Sequence, residues 1–104
     1  MTSGTQREVV LLVETNALLR SEVAEFLRGC GYQVIEAATA AEAVEVLAHR
    51  GVDVLVTDLE LRDSSGFEVS ALAKKLQPKI RVIVTRSAER IAAAATDLCE
   101  DGPL

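Results

Sequence analysis

The sequence predicts a doubly wound α/β domain built on a parallel sheet. Short apolar runs rich in β-branched residues recur at intervals of roughly 25 residues, and between them lie stretches with apolar spacings of three and four. That alternation of strand and helix is the pattern of right-handed crossovers with helices on both faces. The runs Glu8-Val9-Val10-Leu11-Leu12-Val13 and Val52-Asp53-Val54-Leu55-Val56-Thr57-Asp58 are apolar on both strand faces, as expected of strands covered from both sides.

The first strand is expected over Glu8–Val13, after a flexible leader at 1–7, and it ends on Glu14-Thr15. Asn16 is a helix cap, and Leu19, Val23, Phe26, Leu27 and Cys30 form one apolar stripe behind it. Gly29 and Gly31 close that helix. Tyr32-Gln33-Val34-Ile35-Glu36 is a more polar strand, which suits a sheet edge. Thr39 and Glu42 make a capping box for a helix with Ala40, Ala43, Val44, Leu47 and Ala48 on one face, stopping at Gly51. After the strand ending on Asp58 comes the loop Leu59-Glu60-Leu61-Arg62-Asp63-Ser64-Ser65-Gly66. Ser65 and Glu68 repeat the capping pattern ahead of Val69, Leu72, Ala73 and Leu76, and Pro78 ends that helix. A fourth strand, Ile80–Thr85, leads into an alanine-rich helix expected over roughly Ala88–Cys99.

A chain of 104 residues has room for one domain, here 1–104, and no second core. Hydrophobic residues at 49% and charged residues at 26% argue against both disorder and a membrane protein, and no apolar run reaches the ~20 residues a bilayer span needs. The net charge of −5 disfavours nucleic-acid binding, because phosphate contacts need a basic surface. The amino terminus carries no apolar signal segment, so a cytoplasmic protein is expected. Cys30 and Cys99 match neither a metal spacing nor a dense disulfide framework and are read as reduced, structural residues. With one Tyr and two Phe, the core must be made of Val, Leu, Ile and Ala.

Function is sought at the carboxyl ends of the strands, where ligands collect in open α/β sheets. The doubly wound order brings the ends of the first and third strands together, so Glu14, Thr15 and Asp58 should converge. Two carboxylates and a backbone carbonyl suit Mg²⁺, and a carboxylate beside such a cation can act as a nucleophile toward a phosphoryl group. The plainer alternative makes Glu14 a turn residue and Asp58 a cap.

Val10-Leu11-Leu12-Val13-Glu14 with Asn16, Gly31-Tyr32-Gln33-Val34-Ile35-Glu36-Ala37, the Ala-rich helix after Thr39, Asp53–Asp58, Gly66 and Val82-Ile83-Val84-Thr85 follow one another in a family's order and spacing. On these segments the chain resembles the receiver domain of two-component response regulators. It implies a flavodoxin-like fold and a non-enzymatic signalling module. In that module Asp58 accepts a phosphoryl group from a histidine kinase or phosphotransfer protein, and Glu14, Asp58 and the Glu60 carbonyl contact Mg²⁺.

Against the family pattern, Thr15 stands where a second acid is usual, so Mg²⁺ affinity should fall. The loop after Asp58 lacks the usual Met-Pro. The Ser or Thr switch position at the end of the fourth strand falls on Thr85 or Arg86, with Arg86 favoured; Arg86 also reads as a solvated helix-entry residue. The fifth strand, its lysine and the fifth helix have no counterpart, since Lys74, Lys75 and Lys79 lie at the other end of the sheet. An unpaired Ile80–Thr85 edge is therefore expected to form a homo-oligomer or take a partner chain. Two readings follow: a working receiver, or a pseudo-receiver that is not phosphorylated and acts as a binding or dimerisation module. A flavin- or nucleotide-binding domain is disfavoured because no Gly-rich turn follows the first strand.

Overall fold

The computed structural model describes residues 7–102, so the expected leader lies outside it except for Arg7. Strands β1 (Val9–Val13), β2 (Gln33–Ala37), β3 (Val54–Asp58) and β4 (Arg81–Thr85) alternate with helices α1 (Ala17–Gly29), α2 (Ala40–His49), α3 (Gly66–Leu76) and α4 (Ala88–Asp101). The strands form one parallel sheet in the order β2-β1-β3-β4. This is the doubly wound arrangement the alternation predicts. Strands start one or two residues later than their apolar runs, and α4 extends two residues past Cys99.

Every β1 residue is buried, as is β3 up to Thr57, because both central strands carry helices on both faces. Strand β2 alternates exposed and buried positions at one edge, as its polar residues predict. At the other edge β4 is only half-buried through Val82-Ile83-Val84, and among the described residues it pairs with β3 alone.

Strand periodicity divides the core in two. Val9, Leu11, Val13 and Leu55 point to the face covered by α2 and α3, packing with Ala43, Leu47, Val69 and Ala73. Val10, Leu12, Val54 and Val56 point to the other face, where Val23, Ala24 and Leu27 of α1 meet Ile91, Ala95 and Leu98 of α4. Helix α4 thus crosses to the α1 face and covers β3 there; without it Val54 and Val56 would lie open to water. Phe26, expected in the α1 stripe, is 47% exposed, and Ala24 takes the buried place instead.

All four helices start on the same chemistry. The side chains of Asn16, Thr39, Ser65 and Ser87 accept hydrogen bonds from the backbone N–H groups of Leu19, Glu42, Glu68 and Arg90. At the end of α1 the chain reverses through Gly31, whose φ of 98° is open to glycine at little cost.

The two cysteines are not reduced, contrary to the expectation from spacing: Cys30 and Cys99 form a disulfide across 69 residues, with a Cα–Cα separation of 5.5 Å. Helices α1 and α4 both run back along parallel strands, so both carboxyl ends arrive at the amino-terminal edge of the sheet. There the cysteines meet. Beside the bridge the buried Tyr32 hydroxyl donates to the Leu98 carbonyl at 2.7 Å, and burial, then the negative charge of Glu8, push the phenol pKa above its ordinary value.

Candidate functional site

Strand β3 delivers Asp58 to the carboxyl edge of the sheet as its last residue, half-buried and opposite Thr85 in the β3–β4 register. On the other side, the β1–β3 register ends at Val13 opposite Thr57, so Glu14 and Asp58 occupy neighbouring places just beyond it. Strand order alone thus puts Glu14 and Asp58 at adjacent strand ends, with Thr15 next along the chain from Glu14.

Glu14 is 6% exposed, and its surroundings hold it in place. Its N–H donates to the Ala37 carbonyl at 3.0 Å, and its own carbonyl accepts from Arg20 Nη1 at 2.8 Å. Its Oε2 accepts from the Asn16 N–H at 2.9 Å. Arg20, which also pairs with Glu36 at 3.3 Å, therefore ties the first loop to β2. Sequence reasoning passed over it because an Arg on the polar side of a helix has no distinguishing pattern. Thr15 Oγ1 is buried and has no hydrogen-bond partner. Such an atom normally costs free energy, and a cation ligated by its oxygen would remove that cost.

The loop after Asp58 is a short closed hairpin. Glu60 and Ser65 face each other in an antiparallel bridge, the Gly66 N–H donates to the Leu59 carbonyl at 2.7 Å, and the Leu61 N–H donates to the Ser64 carbonyl at 3.2 Å. Neither closing bond uses the Glu60 carbonyl. The Glu60 N–H donates to Asp58 Oδ1 at 3.3 Å, and the Leu59 N–H donates to the Thr85 carbonyl at 2.8 Å. Asp63, at the tip, accepts from the N–H groups of Ala40 at 2.9 Å and Ala41 at 3.0 Å. Those bonds hold its carboxyl below the usual carboxylate value. No spacing in the sequence links residue 63 to residue 40, so this contact could not be read from the chain.

Thr85 closes β4, 5% exposed, with its Oγ1 donating to the Thr57 carbonyl at 3.5 Å, the outer limit of a hydrogen bond. Arg86 follows outside the strand and is exposed. It is thus Thr85 that sits across from Asp58, with Arg86 one step beyond, between the strand end and the Ser87 cap. His49 lies away from the site, with Nδ1 against the Glu45 carbonyl at 2.9 Å.

The donor set suits a hard divalent cation: two carboxylates at adjacent strand ends, an orphaned hydroxyl and a backbone carbonyl outside the hairpin's closing bonds. Among the described residues no group of three or more His, Cys, Asp or Glu side chains gathers, so carbonyl and water oxygens would complete any coordination shell. No helix among them is long and apolar enough to cross a membrane.

A four-stranded parallel sheet of order β2-β1-β3-β4 with helices on both faces is the architecture of a receiver-type signalling domain. The family model for the response regulator receiver domain matches residues 10–102, and the chain belongs to that family. It is 41% identical over 66 residues to the adventurous-gliding motility protein Z of Myxococcus xanthus, covering 64% of this chain and 5% of that protein. It is 32% identical over 90 residues to the transcriptional regulatory protein PdtaR of Mycobacterium tuberculosis, covering 85% of this chain and 44% of the relative. The chain therefore spans less than half of either relative.

Among solved structures, a CheY-like receiver domain protein of Methanospirillum hungatei superposes with a TM-score of 0.75 at 24% identity, over 86% of this chain and 76% of that one, a likeness of fold. A response regulator of Burkholderia pseudomallei, solved with a phosphorylated aspartic acid, calcium ion and citrate, superposes with a TM-score of 0.73 at 25% identity. The match covers 86% of this chain and 54% of that one.

Proposed function

We propose that this receiver domain takes a phosphoryl group on Asp58 from a phosphohistidine of a histidine kinase or phosphotransfer protein. The observation that carries this reading is the placement of Asp58 at the end of a buried central strand, beside Glu14 and within reach of the Glu60 N–H. An Asp58 carboxylate oxygen attacks phosphorus, an O–P bond forms as the N–P bond breaks, and the departing imidazole keeps the electron pair and takes up a proton. The Glu60 N–H holds the carboxylate in a fixed orientation. Glu14, Asp58, the Glu60 carbonyl and the Thr15 hydroxyl are the groups that would hold Mg²⁺, which when bound offsets negative charge on the phosphoryl oxygens. The phosphorylated aspartate in the Burkholderia pseudomallei relative supports the assignment.

The new charge of roughly −1.5 to −2 would act first on Thr85, directly across β3–β4, and on Arg86 beyond it. Arg86 supplies the positive charge available at this strand end, and a guanidinium suits phosphoryl oxygens. Incubation with Mg²⁺ and a small acyl phosphate should add one phosphoryl mass to the wild type and none to Asp58→Asn. An adduct that persists in Asp58→Asn would place the chemistry elsewhere.

A second reading, the unphosphorylated pseudo-receiver, is favoured by Thr15, which leaves the site one carboxylate short. Under it the wild type takes no adduct at all.

For the interaction surface we place self-association at β4. Its outer backbone groups have no ladder partner among the described residues, and Val82-Ile83-Val84 lie half-exposed along it. Sedimentation at micromolar concentration should show a dimer that Ile83→Lys disperses. A compact monomer at every concentration would remove this surface from consideration.

A further inference from the structure

We propose that Asp63 is a positioning residue for the phosphoacceptor site, fastening the Asp58 loop to the amino end of α2. The inference rests on the reading of Asp58 and Glu60 given above.

The first turn of any helix leaves backbone N–H groups without helical partners. In α2 those of Ala40, Ala41 and Glu42 are taken, from two sources. Thr39 Oγ1 accepts from the Glu42 N–H at 3.1 Å, a cap local to the helix, and the helical ladder opens with the bond from the Ala43 N–H to the Thr39 carbonyl at 3.1 Å. The N–H groups of Ala40 and Ala41 are taken by Asp63, 23 and 22 residues away, one by each carboxylate oxygen. A carboxylate at a helix start gains from the helix dipole as well as from the bonds. Thr39 caps Glu42 locally, whereas the bonds to Asp63 both satisfy the Ala40 and Ala41 N–H groups and tie the start of α2 to the loop after Asp58.

What they do follows from the hairpin. The Glu60–Ser65 bridge and its two closing bonds make residues 59–66 move as one piece, so a restraint at Asp63 is a restraint on the Glu60 N–H and carbonyl. The other side of the hairpin is fixed to α3, where Ser64 Oγ donates to Glu68 Oε1 at 2.8 Å, and Leu61 packs into the α2/α3 core. Removing Asp63 deletes the loop's hydrogen bonds to α2 and leaves it held by Ser64 on α3, the Leu61 side chain and the Leu59 bond to β4. The Glu60 carbonyl, a proposed metal contact, and the Glu60 N–H on Asp58 then sample more positions, and the site must be ordered anew when ligand binds. That cost falls on binding, not on the chemistry once the site is assembled.

The test compares full-length wild type, Asp63→Ala, Asp63→Asn and, as a control, Thr39→Ala, which loses an α2 cap without touching the hairpin. Backbone amide spectra titrated with MgCl₂ give the Mg²⁺ affinity, intact mass gives the yield with acetyl phosphate, and hydrogen exchange reports the amides of Ala40, Ala41 and Leu61. Asp63→Ala should bind Mg²⁺ about fivefold more weakly, the loss of roughly one net hydrogen bond's worth of ordering, and need correspondingly more Mg²⁺ for half-maximal adduct. Its adduct yield at saturating Mg²⁺ should match the wild type, and its three reporter amides should exchange faster. Asp63→Asn, which keeps an acceptor in the same place, should stay within about twofold of the wild type. Wild-type Mg²⁺ affinity in Asp63→Ala overturns the positioning role while leaving Asp58 as the acceptor. An equal weakening in Thr39→Ala also overturns it, because fraying of α2 would then be the cause. A wild type that neither binds Mg²⁺ nor forms adduct overturns the reading of Asp58 and this role with it.

Discussion

Breaking the Cys30–Cys99 disulfide, by a reductant or by replacing both cysteines with serine, is expected to lower the unfolding free energy by about 4 kcal/mol. The bridge closes a loop of 69 residues, and a cross-link that long removes much of the freedom of the unfolded chain. Against a usual total of about 5–15 kcal/mol for a small domain, that is a large share. The effect should be concentrated in α4. Its hold on the sheet otherwise comes from Ile91, Ala95, Leu98 and the Tyr32 hydroxyl bond to the Leu98 carbonyl. Urea denaturation with and without reductant measures the difference, and hydrogen exchange locates it. A midpoint unmoved by reduction would mean that the two sulfurs do not constrain the unfolded chain.

Gly66→Ala is expected to cost about 3 kcal/mol and to damage the Asp58 site at the same time. Gly66 is buried at the start of α3, and a Cβ there would be driven into the backbone carbonyl of Asp58, with the Asp58 carbonyl carbon and Leu59 Cα at 3.1 Å behind it. Nothing in this crowding is a flexible side chain that could turn away. Either the first turn of α3 or the end of β3 must shift, and with either goes the 2.7 Å bond from the Gly66 N–H to the Leu59 carbonyl. The glycine is required by close approach of two backbone segments. Chemical denaturation and adduct yield should both fall in this variant, and a stable protein with normal yield would show that the hairpin yields more readily than its bonds imply.

The candidate site was legible where it depends on strand order. Glu14, Thr15 and Asp58 follow apolar runs that can only be central strands, and a parallel sheet puts those ends side by side. The sequence offers Thr85 or Arg86, with Arg86 favoured, for the position at the end of the fourth strand, because an apolar run does not carry its own register; the β3–β4 pairing puts Thr85 opposite Asp58. Asp63 and Arg20 were not legible at all. Each acts on backbone atoms of a distant or neighbouring loop, and backbone amides and carbonyls are the same in every sequence.

By itself the sequence determined the fold class, the element order, three of the four helix caps and the aspartate at the tip of the third strand, because hydrophobic period and capping chemistry are local properties of a chain. Only the tertiary structure decided that α4 lies on the α1 face, that Cys30 and Cys99 are joined there, and that the Asp58 loop is held between α2 and α3. These depend on which ends of which helices meet once the sheet is formed. That meeting places residues 23 and 69 positions apart in contact, and no local pattern records it.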